Sequence, residues 1–260
     1  MADTADLKSA ARYRAYGFDS RLRHLRRQRE RIEMEGIAKY IDHTFLKTTG
    51  SAKDIERLCE EARKYGFASV CVHPCEVTRC KSLLEESGVK VCTVVGFPLG
   101  QNTVKTILFE AYEAVEGGAD ELDFVVNVGE VKSAFAEGRD GKSAKALAAK
   151  WKSVVSIVKG QRGDVVAKLI IECCYLSDDE KVFACEMAKA AGFDFVKTST
   201  GFGPGGATVH DVALMRRAVG DSMGVKAAGG IRTKEDALAM IEAGATRLGC
   251  SAGVAIVTAR

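Results

Sequence analysis

The sequence predicts the α/β class, as a single (β/α)8 TIM barrel with an extra helical segment ahead of it. Three observations predict it. After residue 38, eight short strand-like runs alternate with amphipathic helices. Several of the runs are apolar almost throughout, as strands buried on both faces are. No proline- or glycine-rich linker divides the chain, which has only three prolines. Its 260 residues suffice for one large core. Residues 1–37 read as an N-terminal helical arm and 38–260 as one barrel domain. The alternative, a doubly wound open sheet, usually carries a glycine fingerprint after its first strand, and none is present here.

The elements follow in order. Tyr40–His43 is a weak first strand. Ser51 starts a helix whose Ile55, Leu58, Cys59 and Ala62 share one face. Ala68–Val72 is the second strand, with Pro74 opening the next helix. Val89–Val95 is the third, followed by a helix carrying Val104, Ile107, Leu108, Ala111 and Val115. Leu122–Val126 is the fourth. A longer section follows, helical from about Ser143 to Val158, with Trp151 in a packing role. Val165–Ile171 is the fifth strand. Ser177 with Glu180 spells a capping box ahead of Phe183, Met187 and Ala190. Phe193–Lys197 is the sixth strand, and a helix follows Thr208. Gly224–Ala227 is the seventh, with a helix starting at Thr233. Thr246–Leu248 is the eighth.

Composition narrows the function. With 38 basic and 35 acidic residues, the net charge of +3 gives no argument for a nucleic-acid or membrane partner. No apolar run approaches the roughly 20 residues needed to cross a bilayer. Nine cysteines occur without paired CxxC units, and Cys71 and Cys92 sit inside apolar runs as core thiols. The four histidines form no HExxH pair, so no metal site is expected. The expectation is a reduced, cytoplasmic protein. The arginine-rich stretch from Arg12 to Arg31 is interrupted by acidic residues, so a solvated helix or assembly arm is favoured over a targeting segment.

Strand alternation puts charge where a barrel core should be apolar. In the fourth strand Leu122, Phe124 and Val126 face the helices, which leaves Asp123 inside with Val125 and Asn127. Lys168 shares parity with Ile170 and Glu172. Lys197 ends the sixth strand, and Lys226 lies in the seventh. A structural salt-bridge network is one reading. One aspartate cannot neutralise three ammonium groups, although an inward Glu172 would help. The chemical reading uses that imbalance: a crowded, partly dry lysine beside another cation has a lowered pKa. As a free amine it attacks a carbonyl to give an imine, with Asp123 moving protons. Glycine-rich segments follow the last two strands, Gly229–Thr233 and Gly249–Gly253, where barrels of this class recurrently bind phosphate. Gly203–Gly206 adds a loop beside Lys197, as a turn or a substrate-facing cover. His73 ends the second strand, either as a substrate hydrogen bond or as a packing residue.

These residues together resemble the deoxyribose-phosphate aldolase family of class I aldolases. The likeness spans Ile41 to about Ala255. It is strongest at Phe195–Gly201, at Val225–Thr233 and at Asp123, with Asp42–Thr44 and Cys71–Pro74 in support. The resemblance implies reversible cleavage of 2-deoxyribose 5-phosphate to glyceraldehyde 3-phosphate and acetaldehyde, with no metal and no organic cofactor. It implies that Lys197 forms the Schiff base, that Lys226 tunes it, that Asp123 relays protons and that Lys168 supports Asp123. Gly201, Gly229, Gly230, Ile231, Arg232, Gly249, Cys250 and Ser251 are implied around the phosphate, with Cys71 and Thr198 adjacent to substrate. The family includes monomers, dimers and tetramers, so the resemblance allows a homodimer or homotetramer without fixing the assembled form. Two departures stand out. Ala252 follows Ser251 where the family often has a second serine. The last residues, Val257–Arg260, include no tyrosine of the kind that assists proton transfer in some members, so slower enamine protonation is expected. Other lysine-imine enzymes, such as transaldolases, and a barrel that only binds phosphosugars remain as alternatives.

Overall fold

The computed structural model describes residues 36–259. The arm expected over 1–37, with its arginine-rich stretch, lies outside the described residues except for its last two. Eight strands run in parallel and close on themselves in sequence order. They are β1 (Ile41–Thr44), β2 (Ser69–Val72), β3 (Lys90–Val95), β4 (Glu121–Val125), β5 (Val166–Ile170), β6 (Phe195–Lys197), β7 (Gly224–Ala228) and β8 (Arg247–Cys250). Closure comes from β8 pairing with β1, Asp42 opposite Gly249. The helices are α1 (Ala52–Tyr65), α2 (Val77–Leu83), α3 (Val104–Glu116), α4 (Val128–Ala136), α5 (Lys142–Gln161), α6 (Asp178–Ala191), α7 (Val209–Val219), α8 (Lys234–Glu242) and α9 (Gly253–Thr258).

Local chemistry accounts for the boundaries. The Ser177–Glu180 capping box forms: Glu180 N donates to Ser177 Oγ (3.3 Å) and Ser177 N to Glu180 Oε2 (2.7 Å). Gly66 closes α1 in the left-handed conformation, φ 64°. Outside the barrel, Phe124 meets Trp151 of α5 and Phe193 at ring separations of 6.1 and 5.9 Å. Trp151 is completely buried, so packing is its role.

Two sequence expectations need correction here. Asn127 does not share the barrel interior. It caps α4, its Oδ1 accepting from Glu130 N at 3.2 Å, because an asparagine next to four orphan helix N–H groups satisfies one of them. The helix it starts was absent from the sequence reading, which placed helical structure only from about Ser143. Among the described residues no helix is long and apolar enough to cross a membrane.

Candidate active site

Parallel register decides which inward side chains meet. Asp123 lies opposite Lys168, Lys197 opposite Lys226, and Lys226 opposite Arg247. Each strand contributes alternate residues to the interior, so charges from β1 and β4 to β8 gather inside the barrel.

They form a closed ring of alternating sign. Lys226 Nζ reaches Asp123 Oδ2 at 2.8 Å and also pairs with Asp42. Asp42 accepts from Arg247 (2.7 Å), and Arg247 continues to Glu121 (3.0 Å). Glu121 pairs with Lys168 at 2.6 Å, and Lys168 returns to Asp123 Oδ1 at 2.8 Å. Three cations and three carboxylates balance around that circuit. Lys197 stands outside it as a fourth cation, donating to Asp123 Oδ2 at 2.8 Å. Asp123, Asp42, Lys168 and Lys226 are completely buried.

Burial opposes every one of these charges, and the partners overcome it. Lys168, Lys197 and Lys226 hold the Asp123 carboxyl well below the usual carboxylate range. Arg247 and Lys226 lower Asp42 in the same way. Against burial, Asp123 and Asp42 hold the Lys226 ammonium well above the ordinary lysine value, and Asp123 does the same for Lys168. Burial, reinforced by its hydrogen bond to Cys71, pushes the Cys92 thiol up, and its sulfur lies 3.3 Å from Asp123 Oδ1 as a donor.

Above the ring a cavity of about 980 Å³ opens at the C-terminal ends of the strands. Of the charged network, Lys197 alone lines it. The wall also holds Gly201, Gly229, Gly230, Ile231, Arg232, Gly249, Cys250 and Ser251. Gly201, Gly229 and Gly230 are left-handed, with φ between 83° and 86°, a conformation that suits glycine. Gly206 packs directly on this wall: a Cβ there would lie 2.4 Å from the Gly229 carbonyl oxygen, so the Gly203–Gly206 loop is clamped to the loop after β7. Arg232 N already donates to Asp236 Oδ2 at 3.0 Å, so this residue offers an anion its guanidinium rather than its backbone.

Other expected residues lie elsewhere. Cys71 is completely buried beside Cys92, Val94 and Leu46. Thr198 exchanges hydrogen bonds with the backbone of Ala228, at 3.2 and 3.1 Å. Neither borders the cavity. His73 donates through Nε2 to the Leu46 carbonyl (3.1 Å) and meets Phe97 edge-on. Glu172 does not assist the lysines; it accepts instead from Thr200 N at 3.2 Å.

Sequence reading missed Asp42, Glu121 and Arg247 as ring members, and the β1–α1 side of the cavity, where His43 Nε2 donates to Glu61 Oε2 (2.7 Å). Glu121 was within reach, since it shares parity with Asp123.

The geometry is that of a lysine presented to a ligand cavity by a charge-balanced floor. Residues 37–259 match the sequence model of the DeoC/LacD family aldolases. The chain belongs to that family.

Relatives in this aldolase family bear it out along nearly their whole length. The deoxyribose-phosphate aldolase of Caldanaerobacter subterraneus subsp. tengcongensis is 58% identical over 221 residues, 85% of this chain and 92% of that protein. That of Lactococcus lactis subsp. lactis is 52% identical, covering 85% and 95%. Among solved structures, the tetrameric deoxyribose phosphate aldolase of Aeropyrum pernix superposes with a TM-score of 0.78 at 32% identity, over 90% of this chain and 95% of that one. The barrel with its charged interior is therefore that of a DeoC/LacD family aldolase.

Proposed function

We propose that this aldolase reversibly cleaves 2-deoxy-D-ribose 5-phosphate to D-glyceraldehyde 3-phosphate and acetaldehyde through an imine on Lys197. One observation carries the assignment of the nucleophile. Lys197 is the single cation in excess over a balanced ring, and it is the member of the network that touches the cavity. The ring is neutral by itself, so the free amine that attacks a carbonyl leaves this network balanced.

The free amine of Lys197 attacks C1 of the open-chain sugar. The carbinolamine hydroxyl takes up a proton and leaves as water, which gives an iminium. Asp123, directly or through a water, takes the proton of the C3 hydroxyl. The C2–C3 bond then breaks, its electron pair moving into the iminium to give an enamine, and glyceraldehyde 3-phosphate departs. Protonation at C2 restores the iminium, and water releases acetaldehyde and the amine. Asp123 is a poor base while three ammonium groups surround it. Its basicity rises when Lys197 is the uncharged amine or enamine, because one of the lysines lowering it has then lost its charge. Lys226 stays cationic beside the imine, and Lys168 steadies Asp123. The glycine-rich wall takes the phosphate through backbone N–H groups, Ser251 and the Arg232 guanidinium, which fixes C1 over Lys197.

The relatives' names support this substrate over other phosphosugars. The tetrameric Aeropyrum relative supports homo-oligomeric assembly, and the reading places the enzyme in the cytoplasm without a nucleic-acid or membrane partner. Product analysis tests the substrate. Incubation with 2-deoxyribose 5-phosphate is expected to yield acetaldehyde and glyceraldehyde 3-phosphate, with fructose phosphates left intact. Cleavage of the fructose phosphates alone would assign another lysine-imine aldolase activity.

A further inference from the structure

Glu172 is a buried carboxylate that the charge ring does not use. It follows β5 at the barrel mouth and is 4% exposed. No ion pair to it occurs among the described residues, so its burial is not offset by a cation, which is costly unless hydrogen bonds replace the lost water. Its backbone is left-handed, φ 55°, uncommon for a residue with a side chain and a form of strain that concentrates at functional sites. The ladder to β6 shows how this arises. Ile171 N donates to Lys197 O (3.0 Å) and Cys173 N donates to Thr198 O (2.8 Å). Two steps along the β5 side thus answer one step along the β6 side. Glu172 is the extra residue, and such a bulge re-aims its side chain.

The side chain turns toward the segment that leaves the imine-bearing strand. Thr200 N donates to both carboxylate oxygens, at 3.2 and 3.3 Å, and the Thr200 hydroxyl donates to Oε2. That hydroxyl in turn accepts from Phe202 N at 3.0 Å. A carboxylate can only accept, so it fixes the direction of the whole chain of bonds. Thr200, Gly201 and Phe202 all line the cavity. We infer that Glu172 is a positioning residue that shapes the Thr200–Phe202 wall for the phosphate end of the substrate. It acts through Thr200 and takes no part in the imine chemistry.

The inference rests on the phosphate reading of the glycine-rich wall given above. Its test compares kcat and KM of the full-length enzyme for 2-deoxyribose 5-phosphate and for unphosphorylated 2-deoxyribose. Glu172→Ala leaves two Thr200 donors without their charged acceptor. The ratio of kcat/KM, phosphorylated over unphosphorylated, is expected to fall at least about tenfold, carried by KM for the phosphosugar. Glu172→Gln keeps one acceptor oxygen and is expected to recover part of the ratio, with a loss of about threefold. Equal losses on both sugars, a loss carried by kcat, or an unchanged ratio would overturn the role. If Glu172→Ala fails to fold, an unchanged ratio in folded Glu172→Gln overturns it equally. A wild-type enzyme with no preference for the phosphorylated sugar removes the phosphate reading and this inference with it. A wild-type preference that the variants preserve removes this inference alone.

Discussion

Lys197→Leu is expected to lose at least roughly 10⁴-fold in the rate of deoxyribose phosphate cleavage while remaining folded. The size of the loss follows from covalent catalysis. Without the amine no imine forms, and the electrons of the breaking C2–C3 bond have no sink. Retention of the fold follows from the ring. Lys168, Lys226 and Arg247 still balance Asp123, Asp42 and Glu121 when Lys197 is gone. The substitution removes a surplus cation and puts an apolar side chain at a site that is 3% exposed, so stability is expected to be unchanged or higher. Steady-state kinetics and a urea titration on the same preparation check both halves. An active Lys197→Leu enzyme refutes the nucleophile. An inactive but strongly destabilised one refutes the balanced ring.

Asp123→Ala is expected to lose activity as well, but with stability falling alongside it. Three ammonium groups converge on this carboxylate at 2.8 Å. Its removal leaves a largely buried cluster with two carboxylates against four cations. Breaking a buried pair by deleting one partner costs about 3–5 kcal/mol. Activity should fall in the same variant because the proton relay is gone. The pH dependence has a definite sign. Burial disfavours the Asp123 charge, yet the lysines hold its carboxyl well below the usual range. Its stabilising contribution is therefore present above the unfolded carboxylate pKa of about 4 and lost as pH falls through the lower folded value. The stability gap between wild type and Asp123→Ala should be widest near neutral pH and narrow only in strong acid. A gap that is constant down to strong acid would remove the electrostatic explanation.

The contrast between these variants shows what the sequence could and could not reveal. Lys168, Lys197, Lys226 and Asp123 were legible because alternation within one strand is a local property, and a charge on the apolar parity of a barrel strand is conspicuous. The other half of the ring was not. Arg247 joins Asp42 across 205 residues, and that contact exists only because β8 closes on β1, a register no local pattern reports. Counting three lysines against one aspartate suggested a surplus of two. With Asp42, Glu121 and Arg247 added, the surplus is one, and it belongs to Lys197. Asn127 and Glu172 failed the parity rule for separate physical reasons. At Asn127, helix capping outweighed strand alternation. At Glu172, a bulge broke the alternation outright. The glycine-rich loops were legible as a group, but which of their N–H groups stay free depends on capping, as Arg232 N shows by its bond to Asp236.

Borohydride reduction of the native enzyme in the presence of acetaldehyde, followed by peptide mass analysis, tests the central claim most directly. The expected product is an N-ethyl-lysine at position 197, with Lys168 and Lys226 unmodified. Reduction that leaves residue 197 unaltered in the folded enzyme, or that places the ethyl group on Lys226, would contradict the account.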